Sequence, residues 1–118
     1  TARAAEEATN ATFGKRKLVV ACLGDSITYG DGDTQGYISY PTRLQEFLGG
    51  PGFEVLNFGF SGATIVQSPY YYRANRKVYP KAIAAEADVY IVQFGTNDAY
   101  PPRWNETEYR EAMLGLVD

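Results

Sequence analysis

Lys17-Leu18-Val19-Val20-Ala21-Cys22-Leu23-Gly24-Asp25-Ser26-Ile27-Thr28 is the stretch that decides the fold class. Behind one lysine it runs apolar to Leu23 and stops at Gly24. That is the pattern of a strand buried on both faces, not of one that alternates between core and water. A strand covered on both faces belongs to a parallel sheet between two helical layers. The sequence on its C-terminal side fits. Pro41 opens a helix with Leu44, Phe47 and Leu48 on one face, and Gly49-Gly50 ends it. Phe53-Glu54-Val55-Leu56-Asn57-Phe58 reads as a second strand, stopped by Gly59. Pro80 starts a second helix over residues 81–87, whose alanines suit close packing on a sheet. Val89-Tyr90-Ile91-Val92-Gln93-Phe94 reads as a third strand, stopped by Gly95. Asn105-Glu106-Thr107-Glu108 has the spacing of a capping box, and Tyr109, Met113 and Leu116 or Val117 recur at helical intervals beyond it.

Strand and helix alternating three times predict a three-layer α/β/α fold, with a parallel sheet and right-handed crossovers. A flavodoxin-like order, 2-1-3, puts the first strand in the middle. The third strand is almost wholly apolar and carries no lysine or proline to protect it as an edge. It reads as an interior strand whose outer neighbour is not among these residues. The expectation is therefore a solvated tail over residues 1–16 and, over 17–118, the N-terminal part of one domain whose remainder lies elsewhere. Two further features lead to the same expectation: the sequence holds no histidine, and its last helix reaches Asp118 without a Gly or Pro to stop it.

Composition narrows the function classes. A chain of 118 residues with 45% apolar and 21% charged residues suits one small globular domain. Aromatic content and a net charge of only -3 argue against disorder. No apolar run approaches the length of a membrane span. A pI near 4.9 argues against a nucleic-acid surface. One cysteine, Cys22, leaves no internal disulfide and no cysteine-built zinc site. The absence of histidine matters more, because it removes the commonest general base and the commonest metal ligand.

In open α/β sheets, ligands bind beyond the carboxyl ends of the strands, where the strand order reverses. At those ends stand Gly24-Asp25-Ser26-Ile27-Thr28, Gly59-Phe60-Ser61-Gly62 and Gly95-Thr96-Asn97-Asp98, one after each strand. Ser26 supplies a hydroxyl, Gly59 an open backbone N–H and Asn97 a side-chain amide. A nucleophile beside two donors is what acyl transfer requires.

These three blocks resemble the SGNH hydrolases, also called GDSL esterases and lipases. Gly24-Asp25-Ser26 is similar to the family's first block, and the resemblance implies Ser26 as nucleophile. Asn57-Phe58-Gly59-Phe60-Ser61-Gly62 resembles the second block and implies an oxyanion-hole role for Gly59. Gly95-Thr96-Asn97-Asp98 resembles the third and implies Asn97 as the other donor. The fourth block, Asp-x-x-His, has no counterpart in this sequence. The resemblance thus implies a serine esterase acting on short acyl groups such as acetyl on carbohydrates. Its Asp-His pair would come from a complementary C-terminal polypeptide, and without it this chain would be inactive. No metal or organic cofactor is implied. The rival reading is a catalytically inactive glycan-binding module of the same fold.

Other features read more plainly. Asp25 and Asp98 are expected to shape loops rather than to catalyse. Gly30-Asp31-Gly32-Asp33-Thr34-Gln35-Gly36 fails as a dinucleotide fingerprint, with Gln35 in place of Gly, and as a calcium loop, with Thr42 in place of the bidentate Glu. It reads as a flexible rim. Tyr100 and Trp104 come after the third strand and are expected near the crevice mouth, while Tyr70-Tyr71-Tyr72 lie in a loop. Flat faces at the mouth suit a sugar ring or an apolar acyl chain, with simple packing of loop aromatics the favoured account. Activation of Ser26 by Lys77 or Lys81 is a minor alternative. Asn10-Ala11-Thr12 and Asn105-Glu106-Thr107 fit the N-glycosylation pattern and lean towards secretion.

Overall fold

β1 (Leu18–Gly24) is buried from Val20 to its end, as the middle strand of a covered sheet must be. In the computed structural model, which describes residues 16–30, 39–66 and 78–117, it is flanked by β2 (Phe53–Gly59) and β3 (Val89–Gln93). All pairing is parallel, in the order β2-β1-β3. The register runs from Leu18 opposite Phe53 to Gly24 opposite Gly59, and from Val20 opposite Val89 to Gly24 opposite Gln93. The three strands therefore end level with one another.

Side chains of β1 alternate between two covered faces. Ala21 and Leu23 pack with the fully buried Ala82 of a helix over Tyr79–Ala84, joined by Phe58, Ala87, Val92 and Phe94. On the other face Tyr40, first residue of a helix over Tyr40–Leu48, lies against the Cys22 thiol. Burial pushes the Tyr40 hydroxyl up to about 12, reinforced by that thiol, and burial likewise raises Cys22. A thiol kept neutral in a closed face is inert packing. The layers are α/β/α.

Numbered in chain order, the helices are α1 (Ser26–Tyr29), α2 (Tyr40–Leu48), α3 (Tyr79–Ala84) and α4 (Glu106–Val117). Four residues are too few to give a periodic signal, and α1 has none in the sequence. Asp25 caps it, its Oδ1 accepting from Ile27 N at 2.9 Å, and Gly30 ends it with φ 105°. α2 turns Leu44 and Leu48 partly inward but leaves Phe47 75% exposed. The expected apolar face is thus narrower, because Phe47 stands about a quarter turn off the stripe defined by Pro41, Leu44 and Leu48. α3 ends at Ala84 rather than at residue 87. Glu86 turns into the left-handed region at φ 47°, which breaks the helix and drops Ala87 into the sheet core. β3 stops at Gln93, one residue before the expected end. α4 is capped as expected, Asn105 Oδ1 accepting from Glu108 N at 3.0 Å.

Arg16, read from the sequence as tail, is tied to the sheet. Its guanidinium lies 2.9 Å from both oxygens of Asp88, and Asp88 Oδ2 also accepts from Val19 N at 2.8 Å. These bonds join the starts of β1 and β3. The triplet at Asn10, the rim over residues 31–36, Tyr70 to Tyr72 and Lys77 lie outside the described residues. Among the described residues no helix is long and apolar enough to cross a membrane.

Candidate active site

The level ends of the three strands bring the three sequence blocks to one side of the sheet. Ser26 opens α1 directly after β1, Gly59 is the last residue of β2, and Asn97 lies in the turn after β3. Ser26 is half-buried. Its position is fixed by the short helix: Tyr29 N donates to Asp25 O at 3.0 Å and Gly30 N to Ser26 O at 2.8 Å.

Two glycines let α1 lie down on the strand ends. A Cβ on Gly59 would fall on the backbone of Thr28 and Tyr29, and one on Gly24 would fall on the Thr28 side chain and Gln93 O. No other residue permits that approach. Thr28, fully buried, then reaches Gln93 Oε1 at 3.4 Å across the top of β3.

Asn57 fixes the same arrangement from the other side. Its Nδ2 donates to Thr28 O at 3.0 Å, while its Oδ1 accepts from Gly59 N at 2.8 Å. Asn57 therefore clamps the Ser26 turn to β2. It also holds the Gly59 N–H, which is open in the sequence reading; an asparagine two residues earlier closes an Asx turn over it. Sequence reasoning uses Asn57 only as a motif letter. Its signal is an amide in an otherwise apolar strand end.

Asn97 sits in a turn closed by Ala99 N donating to Gly95 O at 2.8 Å, with Gly95 at φ 136°. Its Nδ2 donates to Ala63 O at 2.9 Å, joining the loops after β2 and β3. An amide nitrogen carries two hydrogens, so one remains for a ligand. Asp98, 4% exposed, accepts from Ile65 N at 3.2 Å and Val66 N at 3.1 Å. Asp25, fully buried, caps α1. Both aspartates shape loops. Lys81 is exposed on α3. Among the described residues no three carboxylate or thiol groups gather as a metal site would need.

A hydroxyl at the head of a short helix, a glycine-ended strand and an asparagine turn thus stand together at the carboxyl end of the sheet. The family model described as the GDSL-like lipase/acylhydrolase family matches residues 22–118, and the chain belongs to that family. It is 38% identical over 100 residues to an acetylxylan esterase of Xylanibacter ruminicola, covering 83% of this chain and 21% of that protein. Its fold is similar to the crystal structure of AlinE4, an SGNH-hydrolase family esterase. There the TM-score is 0.64 at 26% identity, covering 86% of this chain and 52% of AlinE4. The chain thus spans about half the length of one relative and about a fifth of the other.

Proposed function

We propose that this chain is the nucleophile-bearing half of a serine esterase that removes short acyl groups, such as acetyl, from carbohydrates. The observation that carries it is the convergence of Ser26, Gly59 and Asn97 at one end of the sheet, under a helix braced by Asn57. Ser26 Oγ attacks the ester carbonyl and forms an acyl-enzyme, and the alcohol leaves. The carbonyl oxygen gains charge in that step. The free hydrogen of Asn97 Nδ2 and the Ser26 backbone N–H meet it, joined by the Gly59 N–H when Asn57 Oδ1 shares it. Water then releases the acid.

A histidine must take the Ser26 proton and return it to the leaving alcohol, with an aspartate orienting the ring. None of the 118 residues is histidine. The pair belongs to a polypeptide beyond them, which would also add strands beside β3, where Val89 is 44% and Tyr90 41% exposed. The similarity to an acetylxylan esterase supports an acetylated carbohydrate as substrate. The same missing histidine favours the second reading, a glycan-binding module without turnover.

The test is Ser26→Ala in the complete enzyme, this chain together with the Asp-x-x-His segment. Hydrolysis of p-nitrophenyl acetate is expected to vanish while the fold persists, since a small half-buried side chain loses little packing. A folded variant with wild-type turnover would remove Ser26 from the chemistry. A wild-type enzyme that binds glycan and hydrolyses no ester would leave the binding module.

A further inference from the structure

Beside the Asn97–Ala63 bond lies a hollow of about 210 Å³ that the ester chemistry does not use. Thr64, Val66 and Asp98 form its inner wall, Thr64 and Asp98 each one residue beyond a partner of that bond, and Arg103, Trp104, Asn105 and Glu108 form its outer wall. The inner wall is fixed: Thr64 is 2% and Asp98 4% exposed, Thr64 Oγ1 donates to Val66 O at 2.7 Å, and Asp98 holds two backbone N–H groups.

The outer wall carries an aromatic ring that packing alone does not account for. Trp104 is 47% exposed, yet it is held still. Its ring packs on Tyr109 at 5.3 Å between centroids and 47° between planes. Tyr109 is in turn pinned to the end of β3, its hydroxyl donating to Phe94 O at 2.9 Å. The turn before it is closed by Trp104 N donating to Tyr100 O at 3.0 Å, with the Arg103 guanidinium 5.0 Å over the Tyr100 ring. A half-exposed indole seated on Tyr109 and facing a hollow offers a flat apolar surface to a ligand.

Around it stand polar groups. Asn105 spends Oδ1 on capping α4, so its Nδ2 is left to donate, and the exposed Glu108 carboxylate accepts. An acyl tail has no use for such groups, whereas a sugar ring offers an apolar face to an indole and hydroxyls to an amide and a carboxylate. We propose that this hollow is a subsite for one neutral pyranose unit of the carbohydrate chain, stacked on Trp104 and hydrogen-bonded by Asn105 and Glu108. It takes the sugar next to the esterified one and sets the register of the chain. The proposal rests on the esterase reading for its orientation towards Ser26, and on the hollow alone for its ligand class.

Binding is measured by calorimetry on the complete enzyme carrying Ser26→Ala, with xylotetraose as probe. Adding Trp104→Ala is expected to weaken affinity at least about tenfold, the usual scale for truncating an aromatic anchor. Trp104→Phe, which keeps a flat face, is expected to retain most of it. In the active enzyme, Trp104→Ala is expected to raise KM for an acetylated xylo-oligosaccharide and to leave kcat within about twofold. Equal xylotetraose affinity with and without Trp104, or none in either protein, overturns the subsite. A fall in kcat at constant KM also overturns it, by making Trp104 a support for Asn97. If Trp104→Ala loses affinity while the enzyme without substitutions hydrolyses no ester, the subsite stands and the esterase reading fails instead.

Discussion

The two outer strands of the sheet are finished in opposite ways. Along β2, the α2 residue Gln45 lays its amide on the strand edge as a missing neighbour would: Nε2 donates to Phe53 O at 3.0 Å, and Oε1 accepts from Val55 N at 2.7 Å. Exposed Glu54 and Asn57 add polarity there. Along β3 the exposed residues are Val89 and Tyr90, and a cavity of about 490 Å³ opens among Leu23, Ala82, Ile83, Val92 and Leu116. One edge is capped against further pairing and the other is apolar and open. The proposed complementary polypeptide would therefore extend the sheet at β3 and not at β2. The catalytic assignment tracks that asymmetry, because the polypeptide proposed to extend β3 is also the one proposed to bring the histidine.

The same asymmetry separates two of the three proposed oxyanion donors. Asn97, on the β3 side, hangs from a turn, and its side chain ties the loops after β2 and β3 together at Ala63 O rather than the strands themselves. Asn97→Ala in the complete enzyme is therefore expected to lower kcat by about 10² to 10³ with KM little changed, the usual cost of one oxyanion donor. A pure KM effect in steady-state kinetics would make it a ground-state contact. Gly59, on the β2 side, is inseparable from the fold, since a Cβ there lands on the Thr28 and Tyr29 backbone. Gly59→Ala is expected to cost about 1–3 kcal/mol of stability in denaturant unfolding, as overpacking does. A variant as stable as wild type would show that α1 does not rest on β2.

Much of this was legible in the sequence because it depends on local patterns. Apolar runs closed by Gly24, Gly59 and Gly95 gave three strands, their alternation with helices gave a parallel sheet, and the flavodoxin-like order 2-1-3 expected for it is the one the sheet adopts. The motif blocks placed Ser26, Gly59 and Asn97 at one end because parallel strands end together. The unread parts are bonds between a side chain and a distant backbone. Nothing near Gln45 announces that its amide will meet Phe53 and Val55, and nothing near Arg16 points to Asp88. Asn57 was visible as a letter of a motif, but its grip on Thr28 and Gly59 requires α1, which is too short to leave a periodic trace. Phe47 was misread for a related reason: a helix of nine residues fixes its buried face only to within a quarter turn.

Gln45 gives a smaller test of the capped edge. Gln45→Ala removes two hydrogen bonds at about 1 kcal/mol each, so a loss on the order of 2 kcal/mol is expected. It should also expose the β2 edge, seen as faster amide hydrogen exchange at Val55 with β3 exchange unchanged. If the loss of protection spread equally to β3, the two edges would not be independent.

The smallest expected effect lies at the opposite end of the sheet, where Asp88 ties the start of β3 to β1. The Val19 N–H, and after it the Arg16 guanidinium, hold the Asp88 carboxyl below the usual carboxylate range. The ionised form is thus favoured in the folded chain relative to the unfolded one, where such a group titrates near about 3.9. The stability this provides is fully present above that value and is lost as pH falls through the lower folded value. Asp88→Asn keeps the shape and one acceptor for Val19 N but cannot ionise. In the complete enzyme the variant should be modestly less stable than wild type at neutral pH. The two unfolding curves should converge as pH drops below about 3.9. The gap should also narrow in high salt, since Arg16 is exposed and its attraction is screened. A gap that persisted unchanged at low pH would mean that Asp88 acts through shape alone. The start of β3 would then be held by its backbone bond, Asp88 N to Val19 O at 2.9 Å, with no help from charge.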